Sequence, residues 1–342
     1  MRTNDEYWRG MLRVLCDEIR QQLWRPHLED GARLRRELAA LGEPVREGAG
    51  DVTYGIDEIA ESCAEAWFHS VAAQTPLSLL TEDSGWRHRG PGGSGTCVEL
   101  PDFDHGGPRI VLDPIDGTRN LMADLRSAWT VVGWAPPGQE QPRLSDLTLG
   151  IVSELPDSRA ARYRVLEAAA GGPCTLELRL VGDEHCVEER ELSAGDDDRV
   201  DRGYFCFFRY APDQRPALAR IEARFFKLLA EREGADLRHV FDDQYISNAG
   251  QLALLSLGTY RMIADIRGWL ARRLGAKTIT SKPYDVAGAI LCARAAGCVV
   301  EGPLGEPLDF PIDVTTPVDF VGFANEATAV RLRPSLYAAL RD

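Results

Sequence analysis

Val111-Leu112-Asp113-Pro114-Ile115-Asp116-Gly117-Thr118 packs two carboxylates, a proline and a glycine turn into eight residues. Ile110, Val111 and Leu112 form an aliphatic, β-branched strand end, and Pro114, with no N–H to give to a ladder, is expected to terminate it. Asp113, preceding a proline, is biased to extended backbone, while Asp116 favours turns and helix N-caps, so both carboxylates can converge on one pocket. Gly117 and Thr118 then offer backbone N–H groups at a helix start, where unpaired donors and the dipole attract an anion.

The surrounding composition fits an ordinary globular enzyme. With 342 residues, 44% of them hydrophobic, the chain can bury a sizeable core, as one large fold or as two packed subdomains. A formal charge of -14 argues against nucleic acid or an anionic membrane as the main partner, and an acidic protein that binds a phosphate needs a cation between them. The start MRTNDEYWRGMLRVLC carries early acidic residues and no sustained apolar core, so neither a signal peptide nor a membrane span is expected, and the cytoplasm is the expected location. Eight cysteines without a CxxC pair fit reduced thiols better than a disulfide frame or a zinc site.

Apolar spacing predicts helices over residues 5–24, 57–70, 216–233, 249–257, 285–296 and 334–340. Strands are expected over 77–80, 128–134, 147–155, 163–168, 176–181, 204–209, 260–266, 298–300 and 320–324. The Gly-rich segment Glu47-Gly48-Ala49-Gly50 separates the first two helices, and the charged stretch Val187 to Val200 is expected as a solvated loop or boundary. The first half, residues 1–185, reads as helices on an antiparallel sheet, and the second, 186–342, as α/β. Gly90-Pro91-Gly92-Gly93-Ser94-Gly95 formally satisfies GxGxxG, but with no apolar strand before it and no helical pattern after it, it reads as a mobile loop.

An isolated DxxD is usually a turn, but here Glu82 follows a strand and Asp285 opens an apolar helix, both placed where such ends gather at a sheet edge. Carboxylates from separate segments plus the Ile115 carbonyl suit a hard cation such as Mg²⁺. The segments Asp51 to Asp57, Thr81-Glu82-Asp83-Ser84, Leu112 to Asn120 and Tyr284-Asp285-Val286-Ala287-Gly288 resemble the four ordered motifs of the inositol monophosphatase family, part of a wider Mg²⁺-dependent, often lithium-sensitive group that includes fructose-1,6-bisphosphatases.

That resemblance implies a layered αβαβα sandwich and a phosphomonoesterase acting on a small polyol or sugar phosphate, with two or three Mg²⁺ ions and a homodimeric assembly. It implies that Glu82, Asp113 and the Ile115 carbonyl hold one ion, and that Asp113, Asp116 and Asp285 hold a second. Glu82 and Thr118, with Asp57 behind the threonine, would orient and deprotonate a metal-activated water, and the Gly117 and Thr118 amides would hold phosphate. No covalent phosphoenzyme is required, and no histidine is placed at the site by motif.

The chain also departs from the family pattern. Asp83 stands for the second glutamate, Tyr284 for the usual tryptophan, Leu121 for a phenylalanine, and Thr278 where a glutamate contacts the inositol ring. The stretch from Gly258 to Asp285 is longer and holds Tyr260, Arg261, Arg267, Lys277 and Lys282, basic groups able to hold a second phosphate or merely to solvate the surface. Arg261, Asn248 and Asp285 are the expected substrate contacts beside Gly117 and Thr118, with Arg209 and Tyr210 as further candidates. Two alternatives stay open: a fructose-1,6-bisphosphatase or biosynthetic sugar-phosphate phosphatase, and a non-catalytic phosphate-ligand binding protein.

Overall fold

Trp8, Leu12, Leu15, Cys16, Ile19 and Leu23 recur at three- and four-residue steps and are all buried, so α1 (Arg2–Glu29) turns one stripe inward. The computed structural model describes residues 2–29, 44–47, 52–183, 185–210 and 212–341; Asp51 and the linker 48–50 lie outside them. Helix α1 packs beside α2 (Gly55–Ala72), and together they cover one face of a nine-stranded sheet.

That sheet runs in the order β11-β10-β9-β8-β7-β6-β3-β4-β5. Its strands are β3 (Leu77–Thr81), β4 (Gly85–Pro91), β5 (Cys97–Glu99), β6 (Arg109–Asp116), β7 (Ala128–Ala135), β8 (Leu149–Leu155), β9 (Arg162–Ala169), β10 (Cys174–Leu180) and β11 (Cys186–Leu192). All neighbours are antiparallel except β3 and β6. Two earlier strands, β1 (Pro44–Glu47) and β2 (Val52–Tyr54), pair only with each other.

Alternation along β6 sorts the core. Ile110 and Leu112 face α1 and α2, while Val111 faces a second helical layer made of α5 (Asn248–Ser256) and α7 (Pro283–Ala295). Below lies a five-stranded mixed sheet in the order β13-β12-β14-β16-β15. It comprises β12 (Tyr204–Phe207), β13 (Phe241–Asp242), β14 (Tyr260–Asp265), β15 (Val299–Glu301) and β16 (Phe320–Phe323). Cys206 and Ile263 point back to the middle helices, and Phe205, Phe207, Met262 and Ala264 point on to α4 (Arg215–Glu233), α6 (Arg267–Leu274) and α8 (Glu326–Arg341). The result is the expected helix–sheet–helix–sheet–helix stack. A short α3 (Thr118–Met122) follows β6.

Four expectations need correction. Pro114 does not end β6: the β6–β7 register shifts between Asp113 and Asp116, so the proline sits at an irregularity, and the strand continues to Asp116. The first six residues of the charged stretch Val187 to Val200 belong to β11, an edge strand whose charged residues face solvent. The Gly-rich run is not an open loop but the turn of a β4–β5 hairpin, closed by Gly92 N donating to Thr96 O at 2.7 Å. Helix α8 begins at Glu326 and carries Pro334 inside it, its buried Ala329, Leu332, Leu336 and Leu340 offsetting the proline. Helix α6 was not anticipated.

Helix α7 lies so close to the sheet that a Cβ on Gly288 would stand 2.1 Å from Val132 O. Gly288→Ala must push α7, and with it Asp285, off the sheet; a loss of about 1–3 kcal/mol in denaturant unfolding is expected. An unchanged midpoint would contradict this packing.

Candidate active site

The register shift in β6 decides where its carboxylates go. In a regular strand residues three apart face opposite sides, and the irregularity at Pro114 and Ile115 lets Asp113 and Asp116 line the same cleft. Thr130 Oγ1 donates to Pro114 O at 2.9 Å, and Asp113 Oδ1 accepts from Ile115 N at 2.9 Å, holding the bend. Gly117 follows with φ 97°, the left-handed conformation that favours glycine, and turns the chain into α3.

The cleft encloses about 90 Å³ and is lined by Asp57, Glu82, Asp113, Ile115, Asp116, Gly117, Thr118, Asn248 and Asp285, together with Tyr54, Arg119, Phe208, Tyr210, Arg267 and neighbouring backbone. Four separate elements deliver the acids. Asp57 sits in the first turn of α2, Glu82 just past β3, Asp113 and Asp116 on β6, and Asp285 in the first turn of α7.

Thr118 Oγ1 lies 2.8 Å from Asp57 Oδ1 and 3.0 Å from Ile115 O; its single proton serves one acceptor at a time. When it donates to Asp57, its lone pairs face the cleft as acceptors. Asp57 is itself held by Tyr54 N, which donates to Oδ2 at 2.8 Å. Asp285 Oδ2 accepts from Lys282 N at 2.8 Å. Asp116 Oδ2 accepts from Ser247 Oγ and Ala249 N, both at 2.6 Å, at the start of α5.

The electrostatics is that of crowded acids. Burial, then the negative charges of Asp285, Asp116 and Glu82, raise Asp113 well above the usual carboxylate range. Burial pushes Asp116 up to about 6 against the hydrogen bonds from Ser247 and Ala249. Such a set of hard oxygen donors, Glu82, Asp113, Asp116, Asp285 and the Ile115 carbonyl, fits a divalent cation such as Mg²⁺, whose charge would relieve the repulsion. Among the described residues no three acids, cysteines or histidines stand close enough together to form a metal-binding group by themselves.

Part of the cleft's lining was left largely unassigned by the sequence. Phe208 and Tyr210 stack, with centroids 6.1 Å apart and planes 10° from parallel. The Arg267 guanidinium lies 4.3 Å from the Phe208 ring centroid, and that of Arg119 4.4 Å from Tyr210. Arg267 is buried and forked onto Asp265 at 2.8 and 2.6 Å, and Asn248 bridges the pair, donating Nδ2 to Asp265 at 2.9 Å and accepting from Arg267 at 3.2 Å. Asn248 thus reaches the cleft, but its side chain braces the arginine.

Arg261 is a correction: it lies early in β14, whereas the cleft opens past that strand's other end, and its guanidinium pairs with Asp197 at 2.6 Å. Arg209 pairs with Glu222 and Asp242, and Lys282 Nζ reaches Thr280 Oγ1. Arg209, Lys277, Thr278 and Lys282 do not line the cleft, while Tyr210 does. Arg267 was visible only as one of several basic residues in the long segment, and the hydrophobic strand before it was the signal that could have singled it out.

A small recess behind Asp113 is shared by Glu61, Asp57, Glu82 and Asp83. Burial pushes Glu61 up to about 7 against a hydrogen bond with Thr81, with Asp83 and Asp57 adding to the rise and Arg87 opposing it. A raised acid binds more protons folded than unfolded, so it costs stability as pH rises from its unfolded value near 4.5 toward 7. In metal-free protein, Glu61→Gln should be the more stable relative to wild type at pH 8 than at pH 4.5, by up to about 3 kcal/mol in urea unfolding; a pH-independent difference would contradict the assignment.

No protein-family model and no curated protein matches the chain. Solved structures do. A holo fructose-1,6-bisphosphatase from Leishmania major aligns with TM-score 0.66 at 12% identity, over 98% of this chain and 95% of that one. The extragenic suppressor protein suhB from Bartonella henselae aligns with TM-score 0.63 at 14% identity, over 96% and 98%. Inositol monophosphatase II from Staphylococcus aureus aligns with TM-score 0.56 at 15% identity, over 98% and 97%. The chain therefore has the fold shared by inositol monophosphatases and fructose-1,6-bisphosphatases.

Proposed function

We propose that the protein is a Mg²⁺-dependent phosphomonoesterase hydrolysing a small polyol or sugar phosphate. The observation that carries this reading is the convergence of Asp57, Glu82, Asp113, Asp116, Gly117, Thr118 and Asp285 on one cleft. Glu82, Asp113 and the Ile115 carbonyl would hold one ion, and Asp113, Asp116 and Asp285 a second. Bound Mg²⁺ would supply charge neutralisation and make water more acidic. The Gly117 and Thr118 amides orient the phosphate, and Thr118 Oγ1, donating to Asp57, accepts a hydrogen bond from the attacking water. Glu82 takes the water's proton as the bond to phosphorus forms and the ester oxygen leaves, to be protonated as the alcohol.

Alongside this reading we propose a homodimer located in the cytoplasm, and two subdomains whose expected division after residue 185 moves to between Leu192 and Tyr204, because β11 pairs with β10 in the first sheet; no helix among the described residues is long and apolar enough to cross a membrane. Phosphate release from a panel of inositol, sugar and nucleotide phosphates tests the activity. Release is expected only with a divalent cation, lowered at least about 10²-fold by Asp116→Asn and by Thr118→Ala. Release that Asp116→Asn leaves unchanged would overturn this assignment of the site, and no cleavage of any ester in the panel would make the protein a binding module instead.

A bisphosphate substrate is the second reading, favoured by Arg119, which lines the cleft beside Tyr210. On that reading Arg119→Ala raises KM for fructose 1,6-bisphosphate about tenfold while leaving KM for inositol 1-phosphate nearly unchanged. Equal effects on both would remove Arg119 from phosphate recognition.

A further inference from the structure

We propose that a second groove, separate from the cleft, binds a small amphiphilic anion: an apolar body carrying a single phosphate, sulfonate or carboxylate head, free in solution. The groove encloses about 540 Å³ between α4 and α6 and is bounded at one end by the close of α8. Ile221, Leu270 and Leu340 make its floor apolar, and Leu274 at its edge is 51% exposed. A bound apolar body would remove that surface from water.

The charge of the rim selects the head. Arg220, Arg224 and Lys227 stand at steps of four and three along one face of α4, Lys227 Nζ 3.8 Å from Glu231, and Arg273 stands across from them on α6, donating to Leu340 O at 3.1 Å. No aspartate or glutamate is among the described residues that line the groove, although the chain carries 53 of them and a net charge of -14. An anion repelled by most of this surface therefore meets a patch of the opposite sign, where low-dielectric walls strengthen the attraction. The Arg273 guanidinium lies 4.7 Å from the Trp269 ring centroid, giving one flat wall that is both apolar and cationic.

Size decides between occupants. A volume of about 540 Å³ lies within the range of small-molecule sites. A docked protein helix, about 10 Å across, would need a longer and wider trough.

Titration calorimetry of the full chain with decyl phosphate, kept below its micelle-forming concentration, tests the proposal. Saturable one-to-one binding is expected, weaker by at least about tenfold for decyl maltoside, which has the same tail and no charge. The Arg220→Glu/Lys227→Glu double variant should lose binding to a similar degree, and Ile221→Trp should lose it by filling the floor without changing charge. Both variants are read alongside their thermal unfolding, and either one that folds suffices for the comparison. Absence of saturable binding, equal affinity in a folded variant, binding only to phosphatidylserine vesicles, or self-association abolished by the double variant would each overturn the proposal.

Discussion

The joint on which the site depends is the Asp116 carboxylate, which ends β6 and accepts from Ser247 Oγ and Ala249 N at the start of α5. It ties the nine-stranded sheet to the helical layer between the sheets. A carboxylate this buried would be costly without donors, and a helix N-terminus supplies both N–H groups and the favourable end of a dipole. Gly117 can then turn beneath Ser247, where a Cβ would come within 3.0 Å of the serine Cβ, and Thr118 reaches Asp57 on α2. Three layers of the fold thus meet within a few residues.

Gathering acids in one place opposes folding, because each buried charge disfavours the next. The apolar layers offset that cost, above all α7, which buries Val286, Ala287, Ala289 and Ile290 while presenting Asp285 at its first turn. Arg267 offers a positive charge nearby, but its fork onto Asp265 spends most of it locally. The remaining negative field favours a divalent cation in the cleft, which the stacked Phe208 and Tyr210 also line.

Much of this was legible in the chain because local chemistry and global position agree. Asp113, Asp116, Gly117 and Thr118 are adjacent in sequence, and their types specify a turn with carboxylates wherever it falls. Glu82 and Asp285 were legible because a strand end and a helix start have recognisable patterns. Arg261 and Arg267 show the limit: six residues apart in one basic segment, they are separated by which end of β14 opens into the cleft, and only the fold decides that. The edge strand β11 escaped notice because both its faces are largely wet, leaving no alternation of apolar and polar residues to read.

If these acids are gathered to hold divalent cations, a heavier divalent ion must bind among them. Anomalous diffraction from crystals grown with Mn²⁺ tests it most directly. The expected map shows at least one strong peak in the cleft, in contact with Asp113 and shared with Asp116, Asp285 or Glu82. A map with no peak there, at Mn²⁺ concentrations that label other acidic sites on the same molecule, would contradict it.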